Sequence, residues 1–160
     1  MDEGSGYEVN YGIKLDGDEL ELVSLLPDGK LVPHKVTAET LSIPGVPDAF
    51  TLETVSRIVP QKNTKLEGLY ATQCGFVTQC EAQGFRRITW YPDRPDVLAT
   101  FRTTVRADPA KYPVLLSNGN RVASGEGWAS FEDPFPKPSY LFALVAAKLE
   151  VLEETHKGGK

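Results

Sequence analysis

Residues 98–107 read LATFRTTVRA, and their apolar and polar side chains alternate. Phe101 and Val105 share one face of an extended chain and Arg102 and Arg106 share the other, because side chains in a strand repeat with a period of two. β-Branched and aromatic residues fit such a pleated, half-buried surface. The pattern therefore predicts a β-strand with one buried face.

Similar short runs lie on both sides of this stretch, and turn residues separate them. Pro27-Asp28-Gly29 and Pro44-Gly45 each end a run, because Pro presets φ and Gly accepts a positive φ. Asn118-Gly119 predicts a hairpin turn between its two flanking runs. The apolar run 140–147 predicts a strand buried on both faces. Together the patterns predict an all-β domain with little helix, with strands in residues 19–26, 40–43, 50–59, 86–91, 98–107, 112–117, 121–131 and 140–147.

Composition excludes several classes of partner. The chain has 160 residues, of which 41% are hydrophobic and 24% charged, which is typical of one globular domain. A net charge of −5 argues against nucleic acid or an anionic membrane as the main partner. No apolar run approaches the ~20 residues that span a bilayer, and residues 1–6 do not resemble a secretory signal. We therefore expect no transmembrane segment, and a location in the cytoplasm or an organelle interior rather than secretion.

Histidine and cysteine, the residues most used for zinc, are scarce. The chain has two histidines, His34 and His156, and two cysteines, Cys74 and Cys80. These are too few for a four-thiolate zinc site or a disulfide scaffold. We expect Cys80 to be a buried, inert thiol with no bridge to Cys74, and His34 to be exposed in a loop.

The segment 68–87, GLYATQCGFVTQCEAQGFRR, is dense in amides, thiols and charges flanked by glycines. Polar loops on β scaffolds often carry binding sites. Glu81 is the only carboxylate between Glu67 and Asp93, so it could provide a specific anionic point. The alternative is a solvated loop glutamate that pairs loosely with Arg86 or Arg87, since weak surface pairs of this kind are common.

The segment 131–140, FEDPFPKPSY, contains three prolines among aromatic residues. One interpretation is a ligand for a proline-binding module. The favoured interpretation is a stiff connection between strands, with Phe135 capping the core.

Several motifs resemble one family in the same order along the chain. They are LEGLY, TQCEA, GFRRIT, DRPDV, YPVLLSNGN and EDPFPKPSYLFALVA, at residues 66–70, 78–82, 84–89, 93–97, 112–120 and 132–146. These segments closely resemble the amino-terminal domain of aminopeptidase N, one of the zinc-dependent alanyl aminopeptidases, over residues 13–152. The resemblance implies an antiparallel, saddle-like β-sheet or sandwich domain at 15–152, packed against a separate thermolysin-like catalytic domain. A divergent extension would then occupy residues 1–14 and a flexible tail residues 153–160.

The resemblance also implies two substrate-binding residues. Glu81 matches the glutamate that helps to bind the free α-ammonium of the substrate, and Gln79 matches a residue that lines the pocket for the first side chain. An ammonium in a partly dry pocket needs a carboxylate as a charge-assisted acceptor, so the chemistry is consistent.

Other features of the family are missing from this sequence. It contains neither the H-E-x-x-H zinc helix nor the G-x-M-E-N substrate motif, and a Gly-Arg-His segment is deleted between Glu126 and Trp128. Without those ligands no catalytic zinc can be assembled. The sequence therefore predicts no catalytic residue, metal site or cofactor in this chain, and zinc would be bound by the absent catalytic domain. The family's first strands also have no counterpart before residue 15.

These observations favour a non-catalytic, stand-alone β domain that acts as a structural or interaction subunit of a larger protein assembly. Loss of the first strands should leave an open sheet edge and an uncovered apolar face, which invite a protein partner. The alternative is a fragment of an active zinc aminopeptidase, in which Gln79 and Glu81 still bind the substrate amino terminus beside a zinc catalytic domain. A small binder of peptide amino termini is a third possibility, although one carboxylate hardly makes a closed pocket.

Overall fold

The computed structural model describes residues 12–150, together with 152 and 154. Within this part the chain forms twelve β-strands and three short 3-10 helices. The strands are β1 Gly12–Asp16, β2 Glu21–Pro27, β3 Lys35–Val36, β4 Thr40–Pro44, β5 Leu52–Arg57, β6 Gly68–Ala71, β7 Gly75–Gln79, β8 Leu98–Arg106, β9 Val114–Ser117, β10 Asn120–Gly125, β11 Trp128–Pro138 and β12 Leu144–Ala147. The helices are η1 Pro60–Lys62, η2 Phe85–Arg87 and η3 Ser139–Leu141.

The strands form four antiparallel sheets, with the orders β1-β4-β3, β10-β11-β8, β6-β7-β12-β9 and β2-β5. This arrangement confirms the predicted antiparallel all-β class with little helix. Strand β1 begins at Gly12, inside the predicted N-terminal extension. Residues 1–11 of that extension, and residues 153 and 155–160 of the predicted tail, lie outside the described residues.

Two apolar clusters hold the sheets together. The first is built from the buried side chains Leu15, Leu25, Leu41, Ile43 and Trp90. The second is built from Val105, Leu115, Ala129, Phe131 and Ala146. Full burial of one such large aliphatic or aromatic side chain stabilises the fold by about 1.5–3 kcal/mol.

The alternating strands are confirmed. In β8 the odd-numbered residues Phe101, Thr103 and Val105 are at least half-buried, and the residues between them are exposed. In β5 the same alternation covers Leu52–Arg57. Burial with a period of two is what one packed face and one solvated face require.

The predicted strand 86–91 is wrong. Arg86 and Arg87 lie in helix η2, and the chain then runs through a turn to Tyr91. The backbone N–H of Arg86 donates to the carboxylate of Asp93, and its carbonyl accepts from the N–H of Asp18. Because those backbone groups are already bonded, they are not available to a sheet ladder.

The hairpin predicted at Asn118-Gly119 is also wrong. Strand β9 pairs with β12, whereas β10 pairs with β11, so this dipeptide is a corner between two sheets. The hairpin turn lies at Glu126-Gly127, within the run 121–131 that was predicted as one strand. Gly119 has φ +81°, and a Cβ there would lie 2.1 Å from the carbonyl oxygen of Glu132. The corner therefore requires glycine for its conformation and for a close backbone approach.

Two predictions near the C-terminal end are partly or wholly wrong. The run 140–147 is a strand only at Leu144–Ala147, because helix η3 occupies its start and Leu141 is 50% exposed. The short strand is nevertheless central, between β7 and β9. Phe135 does not cap the core, since it is 74% exposed.

Candidate functional site

Gln79 and Glu81 lie together at the end of the central strand β7. Gln79 is its last residue, and Glu81 begins a turn over residues 81–84. The N–H of Gly84 donates to the carbonyl of Cys80 over 2.8 Å and closes this turn. Strand β7 is paired on one side with β6 and on the other with β12, so the start of the turn is fixed to the sheet.

The side chain of Glu81 is exposed and makes no ion pair within the described residues. Glu81 is thus a solvated turn glutamate, as the alternative expected, but it forms no ion pair with Arg86 or Arg87 in the structure. The Nε2 of Gln79 donates to the backbone carbonyl of Glu81 over 3.4 Å, and the Glu81–Ala82 peptide bond is cis. The Glu81 carboxylate is left free to accept hydrogen bonds from a cation.

The two arginines have other carboxylate partners. Arg86 bonds through Nε to Asp93, and the nearly buried Arg87 bonds to Asp18 and Glu19. Lys65 and Arg87 hold the pKa of the Glu19 carboxyl below its usual value, mainly through side-chain hydrogen bonds. Positive charge near the turn is thus neutralised by acids other than Glu81.

A cleft of about 200 Å³ opens beside Glu81, lined also by Ala82, Gln83, Pro95 and Tyr140. Pro95 and Tyr140 come from the loop before β8 and from helix η3. Sequence reasoning missed both residues because they are distant from Glu81 in the chain. Both lie within motifs that resemble the family, at 93–97 and 132–146, but nothing in those motifs indicates that they lie beside Glu81.

Three larger clefts in the described part of the chain are less suited to a cation. Carboxylates line one of them, but they are paired with Arg57, Arg87 or Lys65. The other two have lysines and no carboxylate in their walls. Of these four clefts, the one at Glu81 is lined by a carboxylate that has no ion pair within the described residues.

Cys80 lies at the base of the turn and is 2% exposed. Burial, and secondly the charge of Asp93, raise the pKa of this thiol to about 12. Cys74 is exposed, and both cysteines are free. The prediction that Cys80 is buried is confirmed, and its inertness stays a prediction.

Metal ligands are not grouped in the described residues. No cluster there brings together three His, Cys, Asp or Glu side chains able to hold a metal ion. His34 is exposed in a loop, as predicted, with Nδ1 3.0 Å from the carbonyl oxygen of Val32, and His156 lies outside the described residues. Among those residues no helix is long and apolar enough to cross a membrane.

The fold and site define an all-β module that presents a free carboxylate and an amide at a strand end. Residues 27–141 match the family described as the peptidase M1 N-terminal domain. The chain belongs to this family, whose members are zinc metallopeptidases, and the resemblance seen in the motifs is confirmed.

Three known proteins illustrate the relationship. Aminopeptidase N of Escherichia coli is 51% identical over 149 residues, which cover 89% of this chain and 17% of that protein. The crystal structure of Legionella pneumophila aminopeptidase A in complex with aspartic acid is 40% identical, with a TM-score of 0.79, over 87% of this chain and 17% of that one. An M1 zinc metallopeptidase from Deinococcus radiodurans shares the fold at 22% identity and a TM-score of 0.69, over 87% of this chain and 35% of that one. The chain spans 13–18% of the length of its curated relatives.

Proposed function

We propose that this domain binds the free amino terminus of a peptide substrate for a zinc aminopeptidase, with Glu81 as the anchor and Gln79 as a wall of the first side-chain pocket. The unpaired, exposed Glu81 at the end of β7 carries the proposal. An α-ammonium donates three hydrogen bonds, and a carboxylate is the acceptor that compensates its charge. A fixed anchor for the chain end places the first peptide bond at a constant distance from the anchor.

The proposal places the zinc in a catalytic domain separate from this one. The described residues provide no set of ligands, and the sequence has no H-E-x-x-H motif. We therefore assign zinc and the activation of water to a catalytic domain that works with this one. The identity to whole aminopeptidases supports this division of work.

Replacement of the anchor tests the proposal. In the native protein with its catalytic domain, Glu81→Gln removes the charge and keeps the size of the side chain. Loss of a hydrogen bond to a charged group costs about 1.5–3 kcal/mol. We expect kcat/KM for an alanyl nitroanilide to fall about 10- to 150-fold, since each ~1.4 kcal/mol is a factor of ten.

The matched control is Glu53→Gln, which removes an exposed carboxylate on β5 that has no ion pair within the described residues. It should leave kcat/KM unchanged. Equal effects of the two substitutions would refute a role for Glu81 in binding the amino terminus.

A second candidate function is a non-catalytic subunit that docks on another protein. Its support is a set of exposed apolar side chains around the end of β11. Leu98 pairs with Pro138 in the sheet and is 59% exposed, while Phe135 and Leu141 are 74% and 50% exposed. Exposed apolar side chains that form a continuous patch mark protein interaction surfaces. Under this function Glu81→Gln would have no effect, because no substrate is bound.

A further inference from the structure

Asp93 connects the three segments that form the cleft around Glu81. Its Oδ1 accepts a hydrogen bond from the hydroxyl of Ser139, which starts helix η3 and precedes Tyr140. Its Oδ2 accepts from the backbone N–H and the Nε of Arg86, both at 3.1 Å. Asp93 itself lies in the same loop as Pro95. Asp93 is therefore bonded to the residue before Tyr140 and to Arg86, three residues after Gln83, and it lies two residues before Pro95.

The connection is buried and fully bonded. Asp93 is 2% exposed and Ser139 is 1% exposed. Arg86 also donates to the carbonyl oxygen of Asp93 over 2.9 Å, and the N–H of Asp93 donates to Asp16 over 3.0 Å. A buried carboxylate is costly unless it is paired and hydrogen-bonded, so this geometry resists local rearrangement.

The bonds of Arg86 fix the far end of the turn that carries Glu81. The turn begins at β7, passes through Glu81 and Gly84, and leads directly into helix η2 with Arg86. Asp93 also lies close enough to the buried Cys80, at the base of the turn, for its charge to raise the pKa of that thiol. The turn is thus held at one end by the sheet and at the other by Asp93.

We propose that Asp93 is a positioning residue, which acts through Arg86 and Ser139 to fix the Glu81 carboxylate relative to Tyr140 and Pro95. This inference rests on the proposed binding of an amino terminus by Glu81. A misplacement of about 1 Å can reduce catalysis as much as 100-fold. The bonds of Asp93 are what would prevent that misplacement.

A double-mutant cycle in the native protein with its catalytic domain tests the inference, with an alanyl nitroanilide as the probe. Asp93→Asn keeps the size of the side chain and removes its charge. We expect it to raise KM about tenfold in the wild-type background and less than about twofold in the Glu81→Gln background, because both substitutions disturb one interaction. A purely structural role would raise KM by the same factor in both backgrounds, and that result would overturn the inference.

The control is Asp96→Asn in the same loop, since Asp96 forms an exposed ion pair with Arg94 and has no bond to the cleft. It should leave KM unchanged.

If Asp93→Asn does not fold, Ser139→Ala takes its place in the cycle, because it removes one hydrogen bond to Asp93. We expect Ser139→Ala to raise KM about threefold in the wild-type background and to leave KM unchanged in the Glu81→Gln background. Equal factors in both backgrounds would again overturn the inference. If Glu81→Gln alone leaves kcat/KM unchanged, the proposed function itself fails, which is a separate outcome.

Discussion

Charged side chains around the β7 turn differ in whether they have partners. Arg86 and Arg87 are bonded to Asp93 and Asp18, whereas Glu81 has no ion pair within the described residues. Glu81 could be singled out from the sequence because it is an isolated carboxylate in a polar segment. The partners of Arg87 could not, because Asp18 is 69 residues away in the chain. Pairing at that distance depends on the tertiary fold rather than on local spacing.

Thiol chemistry offers a test at the residue scale. The thiolate is the reactive form, and a pKa of about 12 keeps Cys80 protonated until the pH is far above neutral. At about pH 8 we expect one thiol of the folded chain, that of the exposed Cys74, to react with iodoacetamide, and both thiols to react in concentrated guanidinium chloride. Mass spectrometry measures the number of labels that the folded chain and the unfolded chain each carry.

The Cys74→Ser variant provides the control. It should take up no label when folded and one label when unfolded. Rapid labelling of Cys80 in the folded variant near neutral pH would contradict the burial of that thiol beneath the Glu81 turn.

At the scale of elements, the corner between β9 and β10 shows where local rules fail. An Asn-Gly pair favours a two-residue hairpin when the flanking strands pair with each other. Here β9 pairs with β12, a strand formed much later in the chain. The alternation in β5 and β8 was predictable because one strand carries the whole signal, whereas the partner of β9 is decided by non-local packing.

Gly119→Ala tests this corner. The new Cβ would lie 2.1 Å from the carbonyl oxygen of Glu132, and the residue would keep φ near +81°. Backbone strain and the clash together should lower the free energy of unfolding by about 3 kcal/mol. Urea unfolding followed by circular dichroism measures the loss.

Gly29→Ala is the matched control, because Gly29 has a similar φ of +71° but no heavy atom within 4 Å of a Cβ built there. Strain alone should cost about 1 kcal/mol. Equal losses for the two substitutions would contradict the close approach at the corner between the sheets.

At the scale of the whole molecule, the cleft around Glu81 combines segments that the sequence keeps far apart. The family motifs indicate Gln79 and Glu81 as candidate binding residues, and the domain class follows from strand patterns and from the resemblance. Tyr140, Pro95 and the buried Asp93 also lie within family motifs, but those motifs do not show that the fold brings the three residues together near Glu81. Their arrangement is consistent with a binding surface completed by a second domain.

Gentle isolation of the protein from its source, with every chain that remains bound to it, tests whether this domain works with a zinc catalytic domain. We expect the isolated protein to cleave an alanyl nitroanilide, to contain about one zinc per copy of this domain, and to lose activity when a chelator removes the metal. A stable assembly that contains this domain but has neither zinc nor activity on that substrate would contradict a role in a zinc aminopeptidase, and would instead favour a docking subunit.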